Sequence, residues 1–224
     1  MIAFPTGAVD VRDMLVVHES FRQEFHRAPG LVAGVAVGDT ARAAVVADHL
    51  DLMQEFLHLH HTGEDELLWP KLAERAAEEL GSVIPTMEEQ HSAMDTLGRR
   101  ISAALTDWRA SAGVDERDAL VKDLMEFGPL LTSHLALEEE KVLAVVPRYL
   151  TVSEWHRFGD HAIKGLPKSR LPIVFGMLAH LAEPEVVTLM LASAPLVPRL
   201  LMPRLGPRAY AGHVKRVYGA ASTN

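Results

Sequence analysis

The chain has 224 residues, 48% of them hydrophobic, enough for one filled core or one domain with an extension, which excludes a disordered or collagen-like polymer. It holds no cysteine, so disulfides, thiolate zinc sites, iron–sulfur clusters and cysteine nucleophiles drop out together, and any metal must be held by nitrogen and oxygen. The formal charge of -8 argues against nucleic acid as a partner but is unevenly spread, with 13 Lys/Arg against 26 Asp/Glu in residues 1–150 and 9 against 4 in residues 151–224.

Met1-Ile2-Ala3-Phe4-Pro5 lacks the basic segment and apolar run of a signal peptide, and no later apolar stretch reaches the roughly 20 residues of a membrane span. The expectation is a cytoplasmic protein with no transmembrane segment. From Val9 to Arg27 apolar residues recur at helical spacing (Met14, Val17, Phe21, Phe25), and Ala28-Pro29-Gly30 reads as a terminator. Gly38-Asp39-Thr40 supplies an N-cap for a second long helix running to about His61, with a resumption beyond Gly63 and an end near Pro70. A short helix is expected at 72–80.

Gly81-Ser82 opens a third long helix through Ile84, Met87, His91, Met94, Leu97 and Ile101 to about Ala110. After Ser111-Ala112-Gly113, a fourth runs from about Asp115 through Leu124, Phe127, Leu131, His134 and Glu138 to Pro147, with Pro129 expected to kink it. Four long helices with short connections and no period-2 pattern predict an all-α, up-down-up-down four-helix bundle over residues 8–150. Residues 151–224 carry 7 of the 13 prolines and read as an extension of short helices at 153–163, 171–181, 184–191 and 207–218.

The chemistry lies in two i, i+4 pairs, His60/Glu64 and His134/Glu138, with His18 ahead of the first and His91 between them. An i, i+4 pair shares one helix face, so a bundle could aim four imidazoles and two carboxylates at one buried spot. His-x-x-x-Glu is a short pattern that chance also produces in a chain with 12 histidines. Placement gives it weight, because each pair sits late in its helix and the other two histidines fall on apolar faces of the remaining long helices.

Two choices stay open. On the second helix His61 with Asp65 competes with His60 and Glu64, and the spacing to Leu68-Trp69-Pro70 favours the latter. On the third, Asp95 follows His91 by four residues and reads either as a ligand or as a solvated charge. His26, His49, His156, His161, His180 and His213 are taken as structural or exposed, and Trp69, Trp108, Phe21 and Phe127 as core. A donor set of imidazole and carboxylate suits iron, manganese or zinc, and bridging carboxylates favour a pair of ions with positions left for a small molecule.

A lone histidine, His-x-x-x-Glu, a histidine and His-x-x-x-Glu on four successive helices, with the phrase His60-His61-Thr62-Gly63-Glu64-Asp65-Glu66-Leu67-Leu68-Trp69-Pro70, resembles the hemerythrin-like (HHE cation-binding) domain over about residues 8–150. The tail is similar to C-terminal extensions of longer actinobacterial members. The resemblance implies two iron ions, bridged by an oxo or hydroxo group and by carboxylate, with His18, His60, Glu64, His91, His134 and Glu138 on ligand positions. It also implies binding of, or reaction with, dioxygen, hydrogen peroxide or nitric oxide, whether as a sensor or as a peroxidase-, catalase-like or nitric oxide-handling oxidoreductase. Oxygen-carrying hemerythrins have His-x-x-x-His where this chain has His91 and Asp95, which weakens the case for oxygen carriage and favours peroxide or nitric oxide.

Two other readings compete. A ferritin-like di-iron oxidase or iron-binding protein would use Glu55-x-x-His58 and Glu88-x-x-His91 at i, i+3, although the fourth helix lacks such a pair. A metal-free helical interaction module would leave the histidines incidental. In the tail, residues 192–217 with Arg199, Arg204, Arg208, Lys215 and Arg216 could touch an anionic membrane surface, but covering the apolar flank of the bundle is the favoured role.

Overall fold

The computed structural model describes residues 8–192 and 194–219, so the Met1–Pro5 segment read for a leader lies outside the described residues. All regular structure among them is helical. Four long helices, α1 (Arg12–Ala33), α2 (Thr40–Gly63), α5 (Val83–Ser111) and α6 (Val114–Leu137), pack each against the next around a closed ring, α1 on α2, α2 on α5, α5 on α6 and α6 on α1. Short helices α3 (Trp69–Arg75) and α4 (Ala77–Leu80) carry the chain from α2 to α5, and α7 (Val146–Tyr149) follows α6. The tail forms α8 (Val152–Gly165), α9 (Leu171–Leu181), α10 (Pro184–Met190) and α11 (Leu196–Tyr218), all folded back onto the bundle.

Local chemistry fixes several ends. Asp39 accepts from the Arg42 N–H at 2.9 Å and caps α2. Thr151 and Glu154 form a reciprocal capping box at α8, and Glu154 also takes two 2.9 Å hydrogen bonds from Arg75, tying the tail to α3. Ala112 closes α5 in the left-handed region at φ 46°, and its carbonyl accepts from the Gly38 N–H at 3.0 Å, so both loops at that end of the bundle hold each other.

Several expected boundaries move. Helix α1 runs through Pro29 to Ala33, because Ala28 and Val32 are fully buried and tertiary packing outweighs one missing hydrogen bond. The second helix neither breaks at Gly63 nor ends at Pro70. It passes into a π-helical turn, Glu64–Leu68, and Pro70 sits in the first turn of α3, where the fixed φ of proline suits the helix. A second π turn, Glu138–Val142, follows α6. Helix α11 begins eleven residues earlier than 207 and carries Pro203 and Pro207 inside it.

What holds α11 is close packing on α9. A Cβ on Gly176 would lie 2.1 Å from the Gly206 carbonyl oxygen, so two glycines let the helix backbones touch. Its far end is fastened to the bundle by polar groups that are otherwise buried. The Glu24 carboxylate accepts from Tyr218 and lies 3.0 Å from His49 Nε2, while His49 Nδ1 meets His213 Nε2 at 3.0 Å.

His213 is held down to about 4, by burial first and then by the positive charge near His49 and Arg216. A histidine normally titrating near 6.5 is therefore neutral in the docked tail, so its contribution is complete above about pH 6.5 and is lost as pH falls toward 4. Hydrogen exchange of α11 should show docking weakened by up to about 3 kcal/mol over that window, and His213→Gln should flatten the dependence. A flat profile in the unsubstituted chain would contradict the assignment.

Candidate metal centre

The apolar interior is divided into two clusters, one filling the body of the bundle and one at the end under α3, α7 and α8. On each long helix the candidate residue stands where the buried face passes from one cluster to the other. His18 lies between Met14 and Phe21, His60 and His61 between Leu57 and Leu68, His91 between Met87 and Met94, and His134 and Glu138 between Leu131 and Val142. The result is one polar layer sealed by apolar residues above and below.

Helical spacing brings the groups together in two overlapping sets that share Glu64. His18, His60, Glu64 and Glu138 form one, and His61, Glu64, His91 and His134 form the other, with the donor atoms in each set within 4.8 Å of one another and every residue buried. His60 Nε2 is 3.2 Å from Glu64 Oε1, His91 Nε2 is 3.4 Å from Glu64 Oε2, and His18 Nε2 is 3.3 Å from Glu138 Oε2. His134 Nε2 lies 3.9 Å from Glu138 Oε2 and 3.2 Å from His91 Nε2. The two carboxylates each open one of the π turns, whose extra residue returns Leu68 and Val142 to the apolar cluster while the glutamates face inward.

All six residues expected at the site are therefore gathered in one layer. His61, weighed above as the competing register, joins them: adjacent residues on α2 straddle its inward face and enter different sets, and the His61 ring stacks on His91 at 4.1 Å. The doublet was the available signal. Asp65 stands outside the sets and accepts a 2.8 Å hydrogen bond from His91 Nδ1. Asp95 is on the solvent side of α5, half exposed and 3.7 Å from His58. It is not a donor to either set, because a carboxylate four residues beyond His91 points away once Met94 and Leu97 face the core. Glu55, His58 and Glu88 lie outside the sets too, which leaves no ferritin-like arrangement among the described residues.

Three imidazoles are aimed by a second set of acceptors. Nδ1 of His18 lies 2.9 Å from Glu139, that of His91 meets Asp65, and that of His134 is 3.0 Å from the Gln90 side-chain oxygen. With Nδ1 donating outward, each Nε2 faces the centre, as metal-binding histidines require. Glu139 and Gln90 could not be picked out of the sequence, where a run of three glutamates and a lone glutamine look like ordinary surface.

Burial opposes charge on His18 and His91, yet Glu138 and Glu139 outweigh it at the first, Asp65 and Glu64 at the second, and each is pushed up to about 9. Burial holds His60 and His61 well below the usual range and His134 at about 4. The glutamates behave as a pair: burial and the nearby Glu138 charge drive Glu64 well up, and the His18 charge overcomes burial to keep Glu138 low.

Whether a cation fits can be judged from unsatisfied atoms. Of ten buried side-chain polar atoms without a hydrogen-bond partner among the described residues, seven belong here: Nε2 of His18, His60 and His61, and all four oxygens of Glu64 and Glu138. A buried polar atom left without a hydrogen bond costs up to about 1–3 kcal/mol, so their concentration at one point, facing one another without well-formed hydrogen bonds, is what a divalent cation, or two, would satisfy. Nitrogen and oxygen donors of this kind suit iron, manganese or zinc. An open cleft of about 610 Å³ between α2 and α5, lined by Asp51, Gln54, His58, Asp95 and Arg99, reaches His61 from outside.

No helix among the described residues is long and apolar enough to cross a membrane. Searches among curated proteins and among solved structures return no match. The family model for the hemerythrin HHE cation binding domain matches residues 9–146, the bundle with its π turns and every residue of the two donor sets. The chain belongs to the hemerythrin HHE cation-binding family.

Proposed function

We propose that residues 8–150 hold two iron ions and that this centre binds or reacts with dioxygen, hydrogen peroxide or nitric oxide, with 151–224 as an extension shaping its surroundings. The observation that carries the reading is the convergence of seven buried donor atoms without hydrogen bonds in one layer, with three rings aimed from behind. His18 and His60 would serve one ion, His61, His91 and His134 the other, with Glu64 common to both and Glu138 beside His18 and His134. Iron held there would supply redox chemistry toward small oxygen and nitrogen species.

The protein's own groups would do the rest. Four donors per set leave room for a small molecule beside each ion. Phe21, itself packed on Phe56, and Phe158 flank the His60 ring and keep bulk water off that side. The polar cleft at His61 gives a hydrophilic molecule such as peroxide a path to the other set. Arg22 sits 2.9 Å from Glu139 and stabilises the carboxylate that aims His18. A lowered Glu138 keeps one carboxylate ready as a donor, whereas Glu64, His18 and His91 must each release a proton first.

The deciding experiment is metal content per chain, with optical spectra of the anaerobically reduced protein before and after air, peroxide or nitric oxide. About two irons per chain and a spectrum that changes with one of these reagents are expected. A chain that binds no iron under reconstitution would leave the metal-free helical module as the better reading.

A further inference from the structure

A second cavity, of about 270 Å³, lies between the bundle and the C-terminal extension. Its walls come from α1, α2 and α8 to α11, so it exists only because the tail folds back. The lining is apolar almost throughout, with Phe158, Ala162, Val174, Leu178 and Met202 among the contributors, and His60 forms part of its wall. At about 30 Å³ per molecule the space would take roughly nine waters, but they would find few polar partners, so an apolar occupant is favoured over water.

Charge narrows the choice. The ionisable carboxylates of the lining are Asp13 and Asp160, and no lysine or arginine lines it among the described residues. A fatty acid or a phosphate ester would bring an anion beside two acids with no cation to meet it. One polar handle remains. His60 turns Nε2 toward Glu64, and unlike His18, His91 and His134 its Nδ1 has no hydrogen-bond partner among the described residues.

We propose that the tail completes a binding cavity for a small, neutral, largely apolar organic molecule carrying at most one hydroxyl, seated against the His60 ring. The cavity is at the small end of known ligand sites, which sets the size at about ten non-hydrogen atoms. Leu196, Leu200 and Leu201 are about half exposed or more on α11 beside the lining residues Pro195, Pro198 and Met202, giving an apolar molecule a favourable approach. This binding goes beyond the iron reading and does not depend on a cation, because the walls are protein alone.

The test is calorimetric titration of the full chain, metal-free and iron-loaded, with 1-octanol and with octanoate at about pH 7. Saturable one-to-one binding of 1-octanol is expected in both preparations, with octanoate roughly tenfold weaker or worse. Gly159 lines the cavity and a Cβ there meets nothing within 4 Å, so Gly159→Phe should block the space without disturbing the fold. It and Ala162→Phe should each weaken 1-octanol about tenfold while helicity and iron content stay unchanged.

Absence of saturable 1-octanol binding to the folded chain would overturn the proposal, as would equal binding of octanoate or unchanged binding in both variants. Co-sedimentation of the protein with phosphatidylglycerol vesicles, combined with no binding of the free alcohol, would mark this face as a membrane surface and overturn it too. Iron loading that fails while 1-octanol still binds would count against the di-iron reading alone, and the reverse against the cavity alone.

Discussion

Glu64→Gln should abolish binding of both ions and, in the same protein, raise the stability of the metal-free chain. Glu64 is the one residue common to both donor sets, with an oxygen 3.2 Å from His60 and the other 3.4 Å from His91. An amide of the same shape keeps the packing but cannot donate an anionic oxygen to either ion, so iron should fall from about two per chain to none. Without metal the acid is a liability: burial and the Glu138 charge push it up, and its contacts with His60 and His91 are not well-formed hydrogen bonds. Removing that cost should stabilise the metal-free chain by about 1–3 kcal/mol at neutral pH.

The two effects have opposite signs, which makes the result easy to read. Excess iron at about a thousand times its dissociation constant should stabilise the unsubstituted chain by about 4 kcal/mol for each ion bound and leave the variant unmoved. Thermal denaturation of both chains with and without iron measures it. A variant that is less stable than its parent when metal-free would mean that Glu64 is a packing or hydrogen-bonding residue.

His61→Ala should halve the iron content, and Asp95→Ala should leave it at the parental level. His61 is one of three imidazoles in its set, and the shared glutamate with two histidines is a poor site for an ion that prefers six donors. Asp95 is half exposed beside His58, and its removal takes away only a weak surface contact worth about 0–1 kcal/mol. Metal analysis of the two variants settles both choices that stayed open in the sequence, His61 on the second helix and Asp95 on the third. Loss of iron in the aspartate variant with full loading in the histidine variant would reverse the assignment.

Periodicity was enough to read the four long helices, since apolar positions such as Phe21, Phe25, Ile101 and Leu124 recur every three to four residues and all prove buried. The same spacing put His18, His60, Glu64, His91, His134 and Glu138 on inward faces. Where the reading failed, it failed at residues whose local preference was outweighed. Pro29, Pro203 and Pro207 lie inside helices because buried neighbours, or a glycine contact between α9 and α11, hold the backbone against the lost hydrogen bonds.

The sequence by itself determined the all-helical class, the family and the kinds of donor atom, because these follow from composition, period and spacing along one chain. Only the tertiary structure decided that His61 enters the second set, that Asp65, Glu139 and Gln90 aim rings, that Asp95 stays outside, and that the tail closes an apolar cavity over His60. Those outcomes depend on helix rotation after the π turns, on contacts between residues as far apart as His18 and Glu139, and on residues as far apart as Phe56 and Met202 lining one cavity. A helical period specifies which face is inward to within about a quarter turn, so which of two adjacent residues reaches a shared point is settled by packing against three other helices.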